Sequence, residues 1–246
     1  NPNFLGTFLA VGAVLLTVLA WRRPPRLFHV LGAALVLAAM GTTGSRGALV
    51  VYGAGLLSAA FWLQARTKAV LAATMVVPII FVGVGALTSA RIQGSAAQGI
   101  DSATIEASPA LRFQALQLAL TLARQQPVSG VGYGRFPEYA AASDHLGVPF
   151  NTHNDYLRVW AESGLPSLLL LVGLFTMCLR RGSIYARADR SGLGAAAFAA
   201  TSAYAVSLVT LNGLASAQYS VLWALLAGML LGAPSPTHAP YPPTKE

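Results

Sequence analysis

Asn151-Thr152-His153-Asn154-Asp155-Tyr156-Leu157 leads through Glu162-Ser163-Gly164-Leu165-Pro166 into an apolar run that continues to about residue 179. A polar, ionisable cluster therefore sits directly against the mouth of a stretch long enough to be a membrane helix. An ionisable group at bilayer depth costs roughly 3 kcal/mol even on the mildest scales, so a cluster held at the membrane edge points to substrate handling. Upstream, Gly130, Gly132 and Gly134 punctuate a tight turn before this segment. A dinucleotide-binding reading of those glycines fails, because no alternation of strand and helix surrounds them.

Working outward, further apolar runs lie near 4–21, 27–44, 47–63, 69–88, 193–211 and 214–232. Each approaches the roughly 20 residues that a bilayer core of about 30 Å demands of a helix. Of 246 residues, 55% are hydrophobic and only 10% charged, whereas soluble domains carry about 25% charged residues. The expected fold is an all-α polytopic helical membrane protein with about seven transmembrane helices and one large periplasmic loop containing an amphipathic helix. Residues 1–88 would hold helices one to four, 89–154 the periplasmic loop, 155–232 helices five to seven, and 233–246 a proline-rich, disordered cytoplasmic tail.

The net charge of +8 is not read as a nucleic-acid footprint, because the basic residues are placed by membrane topology. Arg22, Arg23, Arg26, Arg66, Lys68, Arg180, Arg181, Arg187, Arg190 and Lys245 fall on one side if the spans alternate, and the positive-inside rule makes that side cytoplasmic. Arg46, Arg91, Arg112, Arg124, Arg135 and Arg158 are left on the other side, beside the polar cluster, where an anionic ligand would account for them. Cys178 is the only cysteine, which excludes an intrachain disulfide and a cysteine metal site. The chain begins at Asn1, and its first span lacks the basic flank and cleavage site of a signal peptide. It reads as part of a longer membrane protein with further spans on the N-terminal side.

Within the long connection, Ser108-Pro109 has the form of an N-cap and first helical position, and Leu111, Ala115, Leu118 and Leu122 recur at helical spacing. Arg112 falls in the first turn of that helix. Its apolar stripe is expected against the membrane surface or the top of the bundle. Thr152 or Asn154 is expected to cap a helix starting at Asp155, with Gly164 and Pro166 kinking it. His153 then stands at a helix N-terminus, where backbone amides suit a phosphate.

The ordered set Asn1-Pro2-Asn3, Ser45-Arg46-Gly47, Leu111-Arg112, Pro127-Val128-Ser129-Gly130-Val131-Gly132-Tyr133-Gly134-Arg135-Phe136, His153-Asn154-Asp155-Tyr156-Leu157 and Glu162-Ser163-Gly164-Leu165-Pro166 resembles the O-antigen ligase and polymerase superfamily. Its members include protein O-oligosaccharyltransferases. The resemblance spans most of the chain, although those proteins usually have more spans than seven. It implies a metal-independent, inverting glycosyltransferase of the bacterial inner (cytoplasmic) membrane, with its active site facing the periplasm. The donor would be an undecaprenyl diphosphate-linked glycan and the acceptor a hydroxyl on a lipid, glycan or protein, with no cofactor. By motif, the family's functional arginines and histidine fall on Arg46, Arg112 and His153.

Residue chemistry is consistent with that implication. Breaking a glycosyl diphosphate leaves negative charge that preorganised guanidinium groups stabilise without giving up a proton, a role open to Arg46 and Arg112, with Arg91 as a further phosphate ligand. A histidine can take the proton of the attacking hydroxyl, which makes His153 the candidate base. Asn154, Asp155 and Tyr156 are candidates for orienting the ring or binding substrate.

Plainer roles stand beside these. His153 can serve as a helix cap, Arg46 as a snorkelling anchor and Arg112 as a solvated helix residue. His145, His153, Asp144 and Asp155 lack zinc-like spacing, and no pair among Glu138, Asp144, Asp155 and Glu162 is selected for glycosidase chemistry. A polymerase joining two lipid-linked repeat units is the alternative within the class. A transporter of an anionic lipid or solute is the alternative outside it, and would need charges deep inside several spans, which the apolar runs lack.

Overall fold

The computed structural model describes residues 2–22, 27–60, 109–144, 146–189 and 191–232, all helix, turn and connection. The helices are α1 (Pro2–Arg22), α2 (Leu27–Thr42), α3 (Arg46–Ala60), α4 (Pro109–Gln125), α5 (Phe136–Ala142), α6 (Asp155–Ala188), α7 (Leu193–Ser207) and α8 (Ala217–Leu231), with a 3-10 turn at Gly213–Ala215. Among the described residues, Asn3–Trp21 of α1 and Asp155–Ala188 of α6 are long and apolar enough to cross a membrane, while α2, α3, α7 and α8 are shorter apolar helices. The expected span at 69–88 and the tail at 233–246 lie outside the described residues.

α1 and α7 form the centre. α1 packs on α2, α3 and α7, and α7 packs on α3, α6 and α8 as well. Small residues make this possible. Ala195, Ala196, Ala199, Ala200 and Ala203 of α7 are fully buried, so neighbouring backbones approach closely, as apolar helices do where lipid gives no hydrophobic drive to associate. A methyl on Gly55 of α3 would lie 2.6 Å from Val14 of α1 and 3.0 Å from Ala203 of α7, so three helices meet there. An aromatic group closes one side: Phe175 of α6 lies 4.3 Å from Trp223 of α8, and Tyr204 of α7 lies 5.6 Å from the same ring.

α4 and α5 build a second, smaller core. Ala115, Ala119, Leu122 and Ala123 of α4 pack with Val131, Phe136, Ala140, Leu146, Phe150 and Ala161. The apolar stripe of α4 thus covers the first half of α6 and the chain between 127 and 150, matching the expectation of packing on the bundle top.

α6 is two helices joined at Gly164, whose φ of 81° and ψ of 172° are not helical. The chain just after α4 fills the break. Val131 N–H donates to the Ala161 carbonyl at 2.9 Å, Gly132 N–H to Glu162 at 2.9 Å, and Leu165 N–H to Pro127 at 2.7 Å. The Glu162 carboxylate, 2% exposed, accepts from the Phe136 N–H at 3.1 Å. Backbone groups released by the break are therefore satisfied rather than left dry. Of the three glycines in this stretch, Gly130 does more than turn the chain. A methyl on Gly130 would overlap the backbone of Glu162, and one on Gly164 the carbonyl of Val128. Below the break, Leu165 to Ala188 runs for about 36 Å at 1.5 Å per residue, enough to span a bilayer unaided.

At the opposite end of α6, Asp189 shapes the turn into α7. Its carboxylate accepts from Ser191 N–H at 2.8 Å, the Ser191 hydroxyl at 2.6 Å and Gly194 N–H at 3.0 Å. Desolvation pushes its carboxyl up, but these donors outweigh it and hold it below the usual carboxylate range. A depressed carboxyl contributes stability that is present above its unfolded value of about 3.9 and is lost as pH falls through the lower folded value. Asp189→Asn is expected to flatten the fall in apparent melting temperature below about pH 4. Parallel curves for the two proteins would refute this.

Candidate functional site

The His153 segment is held by hydrogen bonds on both flanks. Asn154 caps α6, its side-chain oxygen accepting from Leu157 N–H at 3.0 Å, which resolves the choice between Thr152 and Asn154 as cap. Thr152 is fully buried. Its hydroxyl lies 3.0 Å from the Asn154 carbonyl and 3.1 Å from Asn212 Oδ1 as donor, and accepts from Asn154 N–H at 3.2 Å.

Asp155 N–H donates to the Leu208 carbonyl at 2.8 Å, and Asp155 Oδ2 accepts from Leu214 N–H at 2.8 Å. Asp155 Oδ1 faces Arg158 Nη2 at 2.6 Å, with side-chain exposures of 0% and 8%. Among the described residues, Arg158 Nε has no hydrogen-bond partner. The Tyr156 hydroxyl donates to the Ala205 carbonyl at 2.8 Å.

Between these anchors His153 has a φ of 51°, the one positive value outside glycine among the described residues. That region is uncommon for side chains with a Cβ, although histidine tolerates it better than most. The ring lies 5.4 Å from that of Phe150, which belongs to the α4 core. Arg112 is half-buried on α4, one turn before Ala115 of the same core. His153 and Arg112 are thus carried by the same small packing unit.

Arg46 is the first residue of α3 and is exposed. Ser45 caps that helix, its hydroxyl accepting from Ala48 N–H at 3.3 Å. A methyl on Gly47 would lie 3.9 Å from the Thr210 hydroxyl. Thr210 belongs to the chain linking α7 to α8, the same connection that binds Thr152 and Asp155. The starts of α3 and α6 therefore share one end of the bundle, which places Arg46 and His153 at that end. Arg91 lies outside the described residues, as does His145.

The side chains of Asn154, Asp155 and Tyr156 are occupied by the protein's own bonds. The sequence marks Asn212, Glu162, Asp155 and Arg158 individually but gives no sign of the Thr152–Asn212 bond, the Glu162–Phe136 bond or the Asp155–Arg158 contact. The partners of Asn212 and Glu162 lie 60 and 26 residues away along the chain, whereas Asp155 and Arg158 are three residues apart on one helix. Among the described residues, no group of three or more His, Cys, Asp or Glu is placed to hold a metal ion.

No curated protein matches the chain. A family model described as O-antigen ligase matches residues 31–172. The match covers more than half of the chain and includes Arg46, Arg112, the glycine-rich turn, the His153 segment and the break at Gly164. By that match the chain belongs to the O-antigen ligase family, membrane glycosyltransferases of the ligase and polymerase type.

Proposed function

We propose that the protein transfers a glycan from an undecaprenyl diphosphate carrier to an acceptor hydroxyl at the outer face of the bacterial inner membrane. The acceptor oxygen attacks the anomeric carbon and its proton passes to a ring nitrogen of His153. The bond to the carrier phosphate breaks on the opposite side, which inverts the centre. Arg46 and Arg112, with Arg91 as a further ligand, stabilise the charge left on the diphosphate, which makes a metal ion unnecessary. About seven spans, with 89–154 on the periplasmic side, put the acceptor, the carrier headgroup and these residues on one face of the membrane.

The observation that supports this reading best is that His153 and the Arg46 helix start adjoin the same connection between α7 and α8. A base on a fixed loop at the same end of the bundle as an exposed cation suits proton removal on the side where an anionic leaving group is held.

Cells whose full-length protein carries His153→Ala or Arg112→Lys provide the test, with lipid-linked glycans and surface glycoconjugates followed by mass spectrometry. His153→Ala is expected to slow transfer by roughly 10²–10⁴-fold, the usual contribution of a positioned base. Arg112→Lys keeps the charge but loses the guanidinium fork, and is expected to lower transfer as well. Carrier-linked glycan should accumulate while one product class disappears, and that class identifies the acceptor, a lengthened lipid-linked chain marking a polymerase. Unchanged pools at normal protein level would refute the catalytic assignment.

A further inference from the structure

We infer that the connection between α7 and α8 positions the candidate base, with Thr152, Asp155 and Asn212 as positioning residues for His153. The inference rests on the reading of His153 as base. Residues 208–214 hold none of the candidate catalytic groups, yet they bind the His153 loop on both sides. Upstream, the buried Thr152 hydroxyl meets Asn212 Oδ1 at 3.1 Å. Downstream, Asp155 meets the Leu208 carbonyl through its backbone and the Leu214 amide through its carboxylate, both at 2.8 Å.

His153 is the residue caught between these clamps, and its φ of 51° is a conformation that a free loop has little reason to keep. Asn212 is itself buried, at 4% exposed, so the contact is shielded from competing water. The Asp155 carboxylate turns one oxygen to the Leu214 amide and the other to the Arg158 guanidinium, which fixes its orientation in the buried site. The imidazole is thus aimed by an element some 60 residues further along the chain, as the separations of 60 and 59 in these two bonds show.

Aim matters as well as presence for a general base, because a misplacement of about 1 Å can cost on the order of 100-fold in rate. Thr152→Val removes the hydroxyl at nearly constant volume, Thr152→Ser keeps it, and Asn212→Ala removes the partner. Each full-length variant, reconstituted in vesicles with a lipid diphosphate-linked glycan donor and an acceptor, is assayed for kcat, for KM of the donor and for apparent melting temperature. Thr152→Val and Asn212→Ala should lower kcat by roughly 10–100-fold with KM within about twofold, while Thr152→Ser stays near wild type. The double variant Thr152→Val with Asn212→Ala should be no worse than the more impaired single one, because the Thr152–Asn212 contact is already lost in either single variant.

His153→Ala in the same assay separates the two readings. If it retains transfer, His153 is not the base and the function proposed above fails. If it is inactive while Thr152→Val and Asn212→Ala turn over like wild type, the positioning role fails on its own. It also fails if kcat falls only together with melting temperature, since that marks a structural bond with no bearing on aim.

Discussion

Gly164→Ala should leave little folded protein. Gly164 has a φ of 81° and a ψ of 172°, a region reserved almost wholly for glycine and costing other residues about 1–3 kcal/mol. The added methyl would overlap the Val128 carbonyl, which is backbone in a hydrogen-bonded turn and has no rotamer with which to move aside. Forced overlap adds typically about 1–3 kcal/mol more. Both penalties fall on one spot in a protein whose whole stability is expected to be about 5–15 kcal/mol. The measurement is the monodisperse yield in detergent and the apparent melting temperature, with Gly173→Ala as control, because a methyl there meets nothing within 4 Å. Equal yield and melting temperature for the two variants would mean that the clasp between Pro127–Gly132 and Ala161–Leu165 does not form.

Asp155→Ala carries the second largest effect. The substitution strands Arg158, 6% exposed, without its carboxylate, and leaves the Leu214 N–H without its acceptor. Breaking a buried pair from one side typically costs about 3–5 kcal/mol, whereas removing both charges can be close to neutral. Asp155→Ala should therefore lower the apparent melting temperature steeply, and adding Arg158→Met should recover most of the loss. The remainder is the unpaired Leu214 amide, on the order of 1–3 kcal/mol. If the double variant is no better than the single one, the Asp155–Arg158 contact does not explain the loss.

The local parts of the fold were legible because their causes are local. The spacing of Leu111, Ala115, Leu118 and Leu122 after Ser108-Pro109 located α4, found at Pro109–Gln125. Asn154 was one of two expected caps and is the cap. Gly164 was expected to kink α6, and it does so as a full break. The apolar run at 193–211 is longer than its helix, because hydropathy continues past Ser207 while the helix stops there and the Leu208 carbonyl turns to the Asp155 N–H. Likewise the run at 214–232 opens with a 3-10 turn before α8 begins at Ala217.

Pattern reading fails for contacts that join distant residues. Glu162 reaches Phe136 over a separation of 26 and Thr152 reaches Asn212 over 60. No periodicity registers such pairs. The glycine-rich turn was read as a turn alone because a positive φ announces itself in composition, while the backbone that comes to lie against it does not.

The clasp at Gly164 also makes residues 127–165 a lariat. The chain leaves at Pro127, passes through α5 and the His153 loop, and returns to tie at Leu165, whose amide meets the Pro127 carbonyl at 2.7 Å. Both ends of the noose are fixed at the head of the α6 membrane segment, and His153 rides on its returning side. Residues added or removed at the far bend, near Ser143 to Gly147, change the size of the noose while its knot stays where it is. That bend is therefore where the chain can change length without rebuilding the mount of His153.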